Sequence, residues 1–167
     1  MNAPVRVYVS VGSNVEPARY VRAGIRSLRE RFGVLQISSV YESEAVGFAG
    51  DNFYNLVVGF DTTESVTAVA RTLQAIEDAH GRDRTGPRFS PRTLDLDLLL
   101  YGEGELRAGG LVLPRPEITE HAFVLRPLAE LAGGCLHPGL GRSYADLWAA
   151  FDADAQPLWP IELGLDD

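Results

Sequence analysis

The chain has 167 residues, one cysteine and 23 acidic against 15 basic side chains, a net charge of -8. That length fits one domain, 1–167, burying roughly two thirds of the surface its unfolded form exposes. The lone Cys135 excludes an internal disulfide framework, the acidic balance excludes a general nucleic-acid binder, and no apolar run reaches the roughly 20 residues of a membrane helix. With no charged-then-apolar leader before the first strand, the expected compartment is the cytoplasm.

Val5, Val7, Val9 and Val11 alternate and predict a first strand that ends in a Gly12-Ser13-Asn14 turn. A helix follows from near Pro17, because Val21, Ile25, Leu28 and Phe32 fall on one stripe, and Gly33 stops it. Residues 34–41 have strand character, 42–52 lack periodicity, and 53–60 read as a strand. A capping-like Asp61-x-x-Glu64 precedes Val66, Val69, Leu73 and Ile76, a second helix ending near Gly81. An arginine-rich loop leads into a strand over 93–101, with Leu94, Leu96, Leu98 and Leu100 on one face and Asp95, Asp97, Leu99 and Tyr101 on the other. The order strand, helix, strand, strand, helix, strand predicts an α+β, ferredoxin-like antiparallel sheet backed by helices. Downstream, 102–110 reads as a turn, 111–113 as a short strand, and 119–131 and 143–151 as helices. The acidic stretch 152–167, with Pro157 and Pro160, is expected to pack Trp159 loosely or fray.

The chemistry concentrates between Arg82 and Asp97. Asp95 and Asp97 point the same way from one strand, and two neighbouring carboxylates repel unless a cation lies between them. Hard divalent ions such as Mg²⁺ prefer such oxygen ligands and bring phosphates with them. Taken alone, such a pair is more often a solvated or edge-guarding feature than a metal site. The neighbours favour a phosphate site: residues 81–92 hold four arginines, Arg82, Arg84, Arg88 and Arg92, against the single Asp83. Guanidinium groups suit phosphate oxygens, and the pattern fits a small, highly charged anion better than a long one. The chain lacks a Gly-x-x-x-x-Gly-Lys-[Ser/Thr] loop, which excludes a P-loop enzyme. Asn55 is an odd residue inside Phe-Tyr-Asn-Leu-Val-Val; its amide suits the edge of a flat heterocycle, with Phe53 or another aromatic on the ring plane.

Pro91-Arg92-Thr93-Leu94-Asp95-Leu96-Asp97 resembles the signature of the 6-hydroxymethyl-7,8-dihydropterin pyrophosphokinase family, which moves pyrophosphate from ATP to a pterin alcohol in folate biosynthesis. The likeness extends to residues 7–14, 41–58, 74–92 and 122–128, and covers most of 5–150. It implies that Asp95 and Asp97 bind two Mg²⁺ ions against the ATP phosphates. Arg82 and Arg92 would engage the transferring group, with Arg84 and Arg88 assisting from a loop that closes over ATP. Gln74 and Glu77 would build the nucleotide side, and Arg115 and His121 would approach the phosphates. The pterin would meet Ser43, Ala45, Val46 and Asn55 and stack between Phe123 and Phe53. The implied partners are two small molecules, ATP and the pterin, bound by a monomer.

Some positions depart from the family pattern. Phe89-Ser90 stands where an aromatic and Gly are usual, Ser43 and Ala45 replace Thr and Pro, and Arg115 and His121 stand where the family has His and then Arg. An imidazole is mostly neutral at pH 7 whereas a guanidinium is always charged, so this exchange relocates positive charge. The alternative to a kinase is a diverged paralogue that binds a pterin or a nucleotide with little or no turnover.

Overall fold

The computed structural model describes residues 3–44, 52–81 and 93–165. The alternating valines form β1 (Val5–Ser13), which runs through Gly12 and Ser13, so that the turn begins at Asn14, two residues later than the sequence suggests. Pro17 opens α1 (Pro17–Phe32), and its stripe of Val21, Ile25 and Leu28 is fully buried, each side chain contributing about 1.5–3 kcal/mol. Gly33 ends it with φ 85°. Residues 34–41 do not form one strand: β2 (Gln36–Ile37) and β3 (Val40–Ser43) are separated at Ser38. There the Ser38 N–H donates to the Val57 carbonyl and the Val57 N–H donates to Ser38 Oγ, substituting for regular pairing.

The long β4 (Phe53–Thr62) precedes α2 (Val66–Ala79). The cap of α2 is Ser65, whose side chain accepts from the Ala68 N–H; the expected cap, Asp61, lies within β4. The strand β5 (Asp95–Tyr101) then forms one edge of the sheet. Next come a hairpin of β6 (Leu106–Ala108) and β7 (Leu111–Leu113), a 3₁₀ turn over Pro116–Thr119, and α3 (Ala122–Ala132). Thus the region expected to be a plain turn contains β6, and the helix expected over 119–131 is a 3₁₀ turn plus a helix starting at Ala122. A small hairpin, β8 (Leu136–His137) with β9 (Arg142–Ser143), leads to α4 (Tyr144–Ala149), capped by Ser143.

The main sheet is antiparallel in the order β10-β3-β4-β1-β5, with β2 also on β4, where β10 is Trp159–Ile161. Its β3-β4-β1-β5 centre, with α1 and α2, has the ferredoxin-like order expected. The β10 strand corrects the reading of a loose tail. Pro160 lacks a donor and is tolerated on this outer strand, while Arg22 and Arg29 donate to the Leu163 and Leu165 carbonyls.

One core layer joins α1 and α2 to Val7, Val9, Val11, Leu56, Val58 and Phe60; a second joins α3 and α4 to Tyr8, Val57, Leu99 and Leu100. The expected alternation of β5 breaks at Leu99. Val9 pairs with Leu98 but Tyr8 with Leu100, so Leu99 is an extra residue opposite β1. The bulge sends both Leu99 and Leu100 into the α3 layer and turns Tyr101 toward the other, where its hydroxyl donates to the Glu64 carbonyl at 2.6 Å.

Candidate active site

Upstream of the bulge the period-two reading of β5 holds, and Asp95 and Asp97 share the sheet face that carries α3. Register extends this face across three more strands. Gly12 pairs with both Asp95 and Asn55, Asn55 with Tyr41, Phe53 with Ser43, and Ser10 with Asp97 and Val57. Cross-strand partners project to the same side of a sheet. The acidic pair and the expected heterocycle contacts Ser43, Phe53 and Asn55 therefore line one surface, with Asp95 and Asn55 two strand spacings apart, roughly 10 Å.

The strand between them presents Gly12. A Cβ there would lie 2.6 Å from Asn55 Nδ2, so the missing side chain lets the Asn55 amide lie across β1 toward the carboxylates. Sequence reasoning missed this role by reading Gly12 as part of a turn. The available signal was a glycine at the end of an otherwise regular strand, which marks close approach of another group.

The Asp97 carboxyl is pushed up to about 6, first by burial, then by the charge of Asp95; Arg115 pulls it down, and Glu77 and Glu117 add to the rise. Its side chain is 39% exposed, so solvent tempers each of these influences. Arg115 Nη2 stands 3.6 Å from Asp97 Oδ1 and its Nε 3.5 Å from Glu117 Oε2, with the Arg115 N–H donating to the Leu99 carbonyl. The arginine thus reaches the acidic pair from the segment after β7.

Glu77 on α2 is only 4% exposed, and its Oε2 accepts from the Leu96 N–H at 2.7 Å. Leu96 lies between the two aspartates on an outer strand, so this carboxylate ties α2 to the β5 main chain at the acidic pair. Gln74 lies one turn earlier on α2. His121 precedes α3, and its ring stacks on Phe123 with centroids 4.9 Å apart. Two side chains expected on different substrates are therefore in contact. Arg82, Arg84, Arg88, Arg92, Ala45 and Val46 lie outside the described residues.

Among the described residues no cluster of three or more His, Cys, Asp or Glu side chains forms a ready-made metal cage. What the site offers is two carboxylates sharing a face, one holding its proton unusually tightly because of burial first and the neighbouring charge of Asp95 second. That donor set fits a hard divalent cation whose remaining ligands come from elsewhere, such as phosphate oxygens and water.

A sequence profile of the 7,8-dihydro-6-hydroxymethylpterin-pyrophosphokinase family matches residues 8–133. The 2-amino-4-hydroxy-6-hydroxymethyldihydropteridine pyrophosphokinase of Pseudomonas aeruginosa is 39% identical over 149 residues, 87% of this chain and 91% of that protein. The protein of the same name from Synechocystis is 35% identical over 161 residues, covering 95% and 81%. The chain spans only 21% of the longer folic acid synthesis protein of Pneumocystis carinii, at 32% identity over 93% of this chain. Among solved structures, Plasmodium falciparum HPPK-DHPS with pterin and p-hydroxybenzoate superposes with a TM-score of 0.70 at 11% identity, over 89% of this chain and 43% of that one. This last likeness concerns the fold. Among the described residues, no helix is long and apolar enough to cross a membrane.

Proposed function

This chain belongs to the 7,8-dihydro-6-hydroxymethylpterin-pyrophosphokinase family, and we propose that it transfers the pyrophosphoryl group of ATP to the hydroxymethyl oxygen of 6-hydroxymethyl-7,8-dihydropterin. The oxygen attacks the β-phosphorus while the bond from that phosphorus to the α-phosphate oxygen breaks. Its electron pair leaves with AMP, and the hydroxyl proton passes to solvent. The observation that carries the reading is the single sheet face bearing Asp95 and Asp97 at one side and Ser43, Phe53 and Asn55 at the other, with Gly12 between.

Asn55 hydrogen-bonds the pterin edge, Phe53 and Phe123 contact its plane, and Ser43 with Ala45 and Val46 closes the pocket. Holding the alcohol in line with the β-phosphorus turns a bimolecular encounter into a local one. Asp95 and Asp97 would hold Mg²⁺, two ions in this reading, which supply charge neutralisation across the phosphate oxygens. Arg82 and Arg92 bind the transferring group, and Arg84 and Arg88 assist on ATP. Arg115, already beside Asp97, adds a permanent positive charge to the nucleotide side. Gln74 shares that side, whereas Glu77 acts on it by fixing the β5 main chain. None of the described side chains is assigned as general base; in this reading positioning and charge carry the catalysis.

Replacing Asp95 or Asp97 by Ala tests this division of labour. Each variant is expected to retain the folded circular-dichroism spectrum and lose turnover by at least about 10²-fold, the scale of removing one electrostatic contributor. Near-normal activity in either variant removes that residue from the mechanism.

A further inference from the structure

The segment after α4 approaches the site through one side chain. Gln156 is half-buried, and its Oε1 accepts from the Ala122 N–H while its Nε2 donates to the Glu120 carbonyl, both at 2.9 Å. These are the main-chain groups on either side of His121. One amide therefore clamps both flanks of the residue whose ring stacks on Phe123. The His121 side chain makes no cap hydrogen bond to α3, so Gln156 supplies the partner for the first helical N–H, on a residue only 1% exposed.

We infer that Gln156 is a positioning residue for the acceptor: it holds the backbone of His121, and through it the His121–Phe123 ring pair, at the angle the pterin meets. The inference rests on the assignment of Phe123 to the pterin. Gln156 itself touches only main chain here, and the ring its clamp steadies for the acceptor is Phe123, so its larger influence falls on acceptor binding, with a smaller one on the nucleotide side through His121. The amide is also matched in kind to its task. Alanine loses both bonds, whereas an ionised glutamate keeps the acceptor for Ala122 and loses the donor to Glu120.

Steady-state kinetics of the full chain with ATP, Mg²⁺ and 6-hydroxymethyl-7,8-dihydropterin test the clamp, together with NMR of the His121 and Phe123 rings. Gln156→Ala is expected to raise the pterin KM about five- to ten-fold, with a smaller rise in the ATP KM and kcat within about two-fold of wild type, and to shift both sets of ring signals. Gln156→Glu should fall between the two, and it carries the test if the alanine variant does not fold. Trp159→Phe removes a hydrogen bond from the same segment, Trp159 Nε1 to Glu42 Oε1 at 3.3 Å, and should leave the pterin KM unchanged. A pterin KM unmoved in both Gln156 variants, or raised equally by Trp159→Phe, overturns the inference. If wild type itself transfers no pyrophosphate, the functional reading fails. The ring signals then decide the clamp: unchanged signals in both Gln156 variants refute it, and shifted signals uphold it.

Discussion

Gly12 and Asp97 carry the sharpest residue-scale consequences. In Gly12→Ala the new methyl group meets the Asn55 amide at 2.6 Å unless that amide moves. The variant should fold and bind ATP, yet lose roughly ten-fold in pterin affinity as one hydrogen bond is misplaced, read by direct titration of the pterin. Unaltered pterin binding would show that Asn55 does not read the acceptor. For Asp97, a folded pKa of about 6 against an ordinary 3.8 means that the metal-free protein holds this proton more tightly than the unfolded chain. Its stabilising contribution is present below about pH 4 and is lost as the pH rises through about 6. Urea unfolding without metal, compared between wild type and Asp97→Asn, should show this extra decline in the wild type alone. Parallel profiles would contradict it. Part of this was legible in residues: period-two spacing alone puts Asp95 with Asp97 on one face of their strand and Phe53 with Asn55 on one face of theirs, whereas the union of the two faces needs the register through β1. The roles of Gly12 and Gln156 were not, because each depends on a side chain or main chain from a distant segment.

At the scale of elements, α3 is fastened to β3 by polar contacts. Glu130 accepts from the Tyr41 hydroxyl at 2.8 Å and from the Ser39 N–H at 2.8 Å, and Arg126 lies 4.6 Å from the Tyr41 ring centroid. Burial, then the Glu130 carboxylate, raises the Tyr41 phenol pKa. At the far end of this layer, the Tyr144 hydroxyl is buried and has no hydrogen-bond partner among the described residues, and burial raises its pKa as well. Removing an unsatisfied polar group relieves a desolvation cost of about 1–3 kcal/mol, so Tyr144→Phe should be at least as stable as wild type in urea unfolding. A loss beyond about 1 kcal/mol would reveal an unrecognised partner. The bulge at Leu99 shows why element positions read more easily than their details. Leucine suits either face of β5, so composition could not signal the phase change that turns Leu100 toward α3.

Across the whole molecule, the acidic C-terminal segment completes the sheet. Its pattern is too short and too rich in proline to announce a strand, and β10 exists because β3 offers it an edge. Removing residues 157–167 should therefore lower the melting temperature by several degrees, on the scale expected for losing 1–2 kcal/mol in a domain of this size; an unchanged temperature would return this segment to a loose tail. In the proposed reading the same sheet organises both halves of the chemistry: one face carries Asp95 and Asp97, with Arg115 near Asp97, together with Ser43, Phe53 and Asn55. The most direct test follows the phosphorus atoms. When the protein is incubated with ATP, Mg²⁺ and 6-hydroxymethyl-7,8-dihydropterin and the products are resolved by ³¹P NMR, AMP and a pterin diphosphate should appear in equal amounts. ADP as the nucleotide product, or no turnover, would contradict the account.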